Sequence, residues 1–193
     1  MTNTLKIITT STRPGRVGPT VSDWVARVAR DVDVITAEPV DLADMELPLL
    51  DEAQHPAKQQ YEHAHTKRWS AQIAGADAAI FVLPEYDYFA PASFVNAVQC
   101  LMLEWKYLPV GVVCYGGVSG GLRSAQEARQ LLGNVGAYAI PQTVPVPFVA
   151  NAIGADGALE TNDKMDLGLA GMIKELAKLA EVMKPLRSGI EAG

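Results

Sequence analysis

Asp77-Ala78-Ala79-Ile80-Phe81-Val82-Leu83, closed by Pro84, carries one charge at its first position and is apolar from there to the proline. A run this short, continuous and rich in β-branched residues reads as a strand buried on both faces, which is the interior of a parallel sheet. Val110-Gly111-Val112-Val113-Cys114-Tyr115 repeats the pattern downstream. Leu5-Lys6-Ile7-Ile8-Thr9 gives it upstream, before the turn-forming Pro14 and Gly15. Parallel strands cannot be joined by tight hairpins, so long crossovers must lie between them.

The sequence supplies those crossovers. Val21, Trp24, Val25, Val28 and Ala29 form a helical stripe from about Pro19 to Arg30. Val32-Asp33-Val34-Ile35-Thr36 alternates and predicts a second strand, and Glu46 to Asp51 reads as a loop with apolar anchors. Helices are predicted over Lys58 to Ala74, over Pro91 to Met102 with a proline in the first turn, and over Leu122 to Leu132, ended by Gly133 and Gly136. A short fifth strand, Ala137 to Ile140, precedes a proline-punctuated extension to Pro147, a polar loop to Asp163 and a last helix to about Met183.

Strands alternating with helical crossovers predict an α/β three-layer sandwich, with helices on both faces of a five-stranded parallel sheet. The flavodoxin-like order 2-1-3-4-5 suits five strands, and one such domain is expected to span residues 1–193. Ligands of such sheets sit beyond the carboxyl ends of the strands, where the order reverses. The loops after strands one, three and four are therefore expected to converge.

Composition narrows the partners. The net charge of −6, without a basic cluster, argues against nucleic acid or an anionic membrane. No apolar run approaches the roughly 18–20 residues needed to cross a bilayer, and Met1 to Lys6 lacks the regions of a signal peptide, so a cytoplasmic location is expected. Cys100 and Cys114 both lie in apolar stretches and read as two reduced, buried thiols. His63 and His65 are two apart on a predicted helix and face different directions, so with His55 they read as a solvated face and no metal site is expected. Neither a catalytic triad nor a carboxylate pair is evident.

The three converging loops are the least ordinary stretches. Thr9-Thr10-Ser11-Thr12-Arg13-Pro14-Gly15-Arg16-Val17-Gly18 sets hydroxyls, glycines and two arginines ahead of a helix N-terminus, as an anion cradle does, although a solvated turn has similar composition. Pro84-Glu85-Tyr86-Asp87-Tyr88-Phe89-Ala90-Pro91 crowds aromatic residues between two prolines, fit to wall a flat ring, cap the core or form a subunit contact. Tyr115-Gly116-Gly117-Val118-Ser119-Gly120-Gly121 has four glycines in seven residues, a density that lets backbone approach a ligand.

Together these loops resemble the NADPH-dependent FMN reductase family, which includes azo, quinone and chromate reductases on a flavodoxin-like fold. Ser11 to Arg16 look like its phosphate loop, Pro84-Glu85-Tyr86-Asp87 like its Pro-Glu-Tyr-Asn flavin loop, and Tyr115-Gly116-Gly117 with Gly120-Gly121 like its glycine loop. Asn96-Ala97 also fits. The resemblance implies an oxidoreductase that binds FMN rather than FAD, takes hydride from NADPH or NADH, and passes it to a small-molecule electron acceptor such as a quinone, azo compound, free flavin or metal oxyanion. It implies that Ser11 and Arg13 hold the FMN phosphate, with Arg16, Val17 and Gly18 completing the turn. Backbone groups of Glu85, Tyr86 and Asp87, after Pro84, would meet the isoalloxazine edge, and Gly116, Gly117 and Ser119 its other side. A homodimer or homotetramer is implied as well; the large apolar side chains of Tyr86, Tyr88, Phe89, Trp105 and Tyr107 read as its contact surface, with core packing open for the last two. Departures are Thr10 for the usual Gly, Asp87 for Asn, and Val95 and Gln99 for Lys and Asp around Asn-Ala. The alternative is a flavodoxin-type electron-transfer protein without NAD(P)H activity, against which Arg13 and Arg16 argue.

Overall fold

β3 (Ala78–Pro84) lies in the middle of a five-stranded parallel sheet, and each of its residues is buried. The computed structural model describes residues 3–189. The remaining strands are β1 (Thr4–Thr9), β2 (Thr36–Asp41), β4 (Pro109–Tyr115) and β5 (Tyr138–Val146), in the order β2-β1-β3-β4-β5. The helices are α1 (Gly18–Val32), α2 (Leu42–Met45), α3 (Ala64–Ala74), α4 (Ala92–Gln99), α5 (Leu122–Asn134) and α6 (Asp163–Ser188). This is the expected flavodoxin-like arrangement.

The alternation of β3 side chains builds two cores from one strand. Ala79, Phe81 and Leu83 join Trp69 of α3, Phe94 and Val98 of α4, and Ala125, Ala128 and Leu132 of α5. Ala78, Ile80 and Val82 join Val21, Trp24 and Val25 of α1 and Met172, Ile173 and Leu176 of α6. Phe81 meets Phe94 edge-on, ring centres 5.0 Å apart, and Trp105 lies 5.9 Å from Phe81. Trp105 is fully buried, its indole N–H donating to the Val98 carbonyl at 2.9 Å, so it belongs to the core and leaves the set of subunit-contact residues. Cys100 and Cys114 are free, buried thiols. Among the described residues no helix is long and apolar enough to cross a membrane.

The edge strands depart from the expectation. Val32 to Ile35 are not strand: α1 runs on through Val32, Asp33 ends it in the left-handed region at φ 50°, and β2 begins at Thr36. Val21, Val25, Val28 and Val32 follow helical spacing, which outweighs the short alternation Val32/Val34. Pro39 lies inside β2, which an edge strand tolerates because one side needs no ladder bonds. β5 continues past Ile140 to Val146 despite two prolines. Its register steps from Val110 opposite Ala139 to Val112 opposite Thr143, and the Arg129 guanidinium fills the bulge by donating to the carbonyls of Ile140, Pro141 and Gln142.

Three helix boundaries also shift. α3 starts at Ala64 rather than Lys58, because Gln59 takes a left-handed conformation at φ 51°. α4 is Ala92–Gln99, shorter than Pro91 to Met102. α6 passes Pro185 to Ser188, where Arg187 donates to the carbonyls of Glu104, Lys106 and Ile73. His63 and His65 do not face apart: His63 precedes the helix, and the two rings stack 5.2 Å apart beside Asp51.

Because Phe81 touches both Phe94 and Trp105, Phe81→Ala is expected to cost about 3–5 kcal/mol of stability. Urea unfolding measures it; a loss below about 1 kcal/mol would show that this core collapses around the gap.

Candidate functional site

Each of β1, β3 and β4 ends in one of the three unusual loops, and those loops share a cavity of about 220 Å³. Arg13, Gly15, Arg16 and Val17 line it from the first loop, Pro84, Glu85 and Tyr86 from the second, and Tyr115 and Gly116 from the third. Ser11, Gly18, Asp87, Gly117 and Ser119 are not among its walls. Val149 and Ala150, in the 3-10 turn after β5, also line it and were missed in the sequence. Their signal is the apolar run Phe148-Val149-Ala150 directly after a strand end.

The first loop is braced from three sides. The Thr10 N–H and hydroxyl both donate to the Val82 carbonyl, at 3.2 and 2.9 Å, so the side chain that replaces the usual glycine tethers β1 to β3. The Ser93 hydroxyl donates to the Thr10 carbonyl at 2.5 Å. Arg16 donates to the Ser11 carbonyl and forms a two-pronged ion pair with Asp41, at 2.8 and 2.7 Å. The charge of Arg16 is thus matched within the protein, whereas Arg13 has its guanidinium 5.7 Å from the Tyr86 ring centre and enters no ion pair among the described residues.

α1 begins here without a side-chain cap and without an acidic residue in its first turn. Its leading N–H groups and positive dipole end are therefore free for an anion. Gly18 comes so near β1 that a Cβ on it would stand 2.2 Å from Ser11 Oγ and 2.9 Å from Tyr115 Oη. Ser11 Oγ turns beneath α1 rather than into the cavity, and it and Tyr115 Oη are buried without a hydrogen-bond partner in good geometry. An uncapped helix start with a free arginine beside it fits a phosphate-bearing ligand.

The second loop is a tight hairpin. Tyr86 and Phe89 exchange both backbone bonds, at 3.0 and 2.9 Å, while Asp87 and Tyr88 occupy the left-handed region at φ 48° and 74°. Asp substitutes well for Asn in that conformation. The Glu85 N–H donates to the Tyr115 carbonyl at 3.0 Å, so the N–H groups of Glu85 and Tyr86 are already used and donors to a ligand edge would come from Asp87 or Tyr88. In the third loop Gly121 has φ 87°, and a Cβ there would stand 2.6 Å from the Tyr115 nitrogen, so only glycine fits. Gly117 has open space where a Cβ would be. The Asn96 amide instead anchors the outlying loop, bonding Pro48 and Leu50 at 2.7 and 2.9 Å.

Glu85 joins the second and third loops to α5. Burial raises its pKa, but bonds from Ser119, from the Arg123 side chain and from the Arg123 N–H, with the charge of Arg123, outweigh it and hold the carboxyl below its ordinary 4.5. A larger cavity, about 310 Å³, lies at the amino ends of the strands, but its Lys184 is paired with Asp77 at 3.0 Å and its Arg187 is spent on carbonyls.

A family model described as NADPH-dependent FMN reductase matches residues 4–151. An NAD(P)H-dependent FMN reductase of a Nectria species, ntnL, is 35% identical, covering 94% of this chain and 96% of its own. The Saccharomyces cerevisiae NAD(P)H-dependent FMN reductase LOT6 is 29% identical over 73% of this chain and 83% of its own. Among solved structures, the flavoenzyme NAD(P)H:(acceptor) oxidoreductase FerB of Paracoccus denitrificans superposes with a TM-score of 0.70 at 20% identity, over 93% of this chain and 98% of the other.

A carboxylate whose pKa is depressed by folding stabilises the protein above its unfolded pKa, and that stabilisation is lost as pH falls through the folded value. The stability gap between wild type and Glu85→Gln should therefore be widest above pH 4.5 and close in more acidic buffer. Urea midpoints across pH measure it; a gap that stays constant with pH would show that Arg123 does not depress this carboxyl.

Proposed function

The chain belongs to the NADPH-dependent FMN reductase family, and from that premise we propose that it holds FMN in the cavity shared by its three strand-end loops and reduces a small diffusible acceptor there. When bound, FMN supplies the redox chemistry, accepting hydride from NADPH or NADH and passing two electrons to the acceptor. The protein binds, orients and shields. Membership of an enzyme family sets aside the alternative of an electron carrier without NAD(P)H activity.

The observation that carries the reading is the uncapped start of α1, with Arg13 beside it, opening on the same cavity as the flavin-type and glycine loops. N–H groups at Val17 and Gly18, with Arg13, are assigned to the phosphate, and Arg16 holds that turn through Ser11 and Asp41. Ser11 contributes to that turn through its carbonyl, its hydroxyl lying beneath α1. Pro84 to Asp87 and Gly116, Gly117 and Ser119 flank the ring. One terminal phosphate fills such a turn, which favours FMN over FAD.

The acceptor is read as a flat or small oxidant, a quinone, azo compound, free flavin or metal oxyanion, because an open ring face selects by access rather than by shape. A homodimer or homotetramer fits the exposed apolar rim around the site: Tyr88 is 63%, Phe89 61% and Phe148 54% exposed. Two buried reduced thiols and an acidic surface suit one cytoplasmic domain.

Donor and acceptor use the same ring face in turn, so double-reciprocal plots of NADPH against a quinone should be parallel; intersecting plots would require both substrates at once. Arg13→Ala removes a charge-assisted bond and should raise the FMN dissociation constant roughly ten- to a hundredfold. Titration of flavin-free protein checks this, and an unchanged constant at low salt would remove Arg13 from the site.

A further inference from the structure

Tyr88 sits where a tight hairpin usually has glycine, with φ 74° and its ring largely in solvent. Backbone strain of this kind persists only where surroundings enforce it. Core packing does not supply the enforcement here. The first turns of α5 do. The Arg123 guanidinium lies 4.2 Å from the Tyr88 ring centre, a cation–π stack, and also bonds the Glu85 carboxylate at 2.9 Å. The other Glu85 oxygen accepts from the Arg123 N–H at 3.1 Å, taking the place of the side-chain cap that α5 lacks at Gly121. One helical turn on, the Glu127 carboxylate accepts from the Ala90 N–H at 2.7 Å.

Residues four apart share one face of a helix. Arg123 and Glu127 therefore grip the hairpin at its start, at its strained residue and at its end, from one side of α5. The geometry points to Arg123 and Glu127 as positioning residues for the flavin loop, a two-residue clamp that keeps the Asp87–Tyr88 turn in its left-handed form next to Tyr86 of the cavity wall. This role rests on the functional reading above. It differs from phosphate binding in acting at the ring end, and so it must affect flavins with and without a phosphate equally.

The planar guanidinium matters as well as its charge. Lysine keeps the charge and reaches Glu85, but offers a point charge over the Tyr88 ring instead of a flat stack. Arg123 is 44% exposed, so its replacement does not open the core.

The test uses wild type, Arg123→Ala and Arg123→Lys, first without flavin by hydrogen exchange. The Tyr86 and Phe89 amides, which close the hairpin, should exchange about tenfold or more faster in Arg123→Ala, with partial recovery in Arg123→Lys. Titrated with FMN and with riboflavin, Arg123→Ala should lose affinity for both by the same factor, about five- to twentyfold. Unchanged exchange at Tyr86 and Phe89, or a loss confined to FMN, overturns the clamp. Wild-type protein that binds neither flavin overturns the functional reading itself, a result that the exchange data keep separate from the clamp.

Discussion

The pairing of β3 between β1 and β4 is the constraint from which the rest follows. Parallel partners on both sides force each connection over a face of the sheet, and the order β2-β1-β3-β4-β5 sends the crossovers flanking β1 and β3 to opposite faces. Their loops then cannot pack on one another as turns do, and a crevice is left at the carboxyl ends. Val82 shows how tightly this is fixed: its carbonyl takes both the Thr10 N–H and the Thr10 hydroxyl, so the first loop is tethered to the central strand as it leaves β1.

Within an acidic chain, the crevice is a local exception. The net charge of −6 would repel a phosphate, and a helix start, Arg13 and the matched pair Arg16–Asp41 reverse that sign only over the first loop. One arginine is paired and the other is not: Arg16 spends its charge on the Asp41 pair that shapes the loop, and Arg13 enters no ion pair among the described residues. On the far side Glu85 is divided between two tasks, its carboxylate engaged with α5 while its backbone continues the sheet toward the Tyr115 carbonyl.

The interior of this fold was legible because both faces of β1, β3 and β4 are buried, so β3 and β4 are apolar throughout and β1 is broken only by Lys6 between its apolar residues. The three loops were legible because glycine, proline and hydroxyl residues concentrate where backbone must bend or bind. What stayed hidden depends on partners distant in sequence. β2 and β5 carry prolines that an edge or a bulge forgives, and only Arg129, eleven or more residues from the carbonyls it bonds, explains the bulge. Trp105 looked available for a contact until Phe81 and Trp69 enclosed it, and the histidines looked divergent until His63 proved to precede its helix. Val149 and Ala150 join the cavity through the turn after β5, and the apolar run that holds them does not say which loops it meets.

The central claim is that three strand-end loops form one flavin site, and a crystal structure with FMN bound tests it most directly. The phosphate is expected at the start of α1, within reach of Arg13, and the ring between the Glu85–Tyr88 hairpin and the loop at Gly116 and Gly117. A flavin seated elsewhere, such as the cavity beside Asp77 and Lys184 at the opposite end of the sheet, would contradict it.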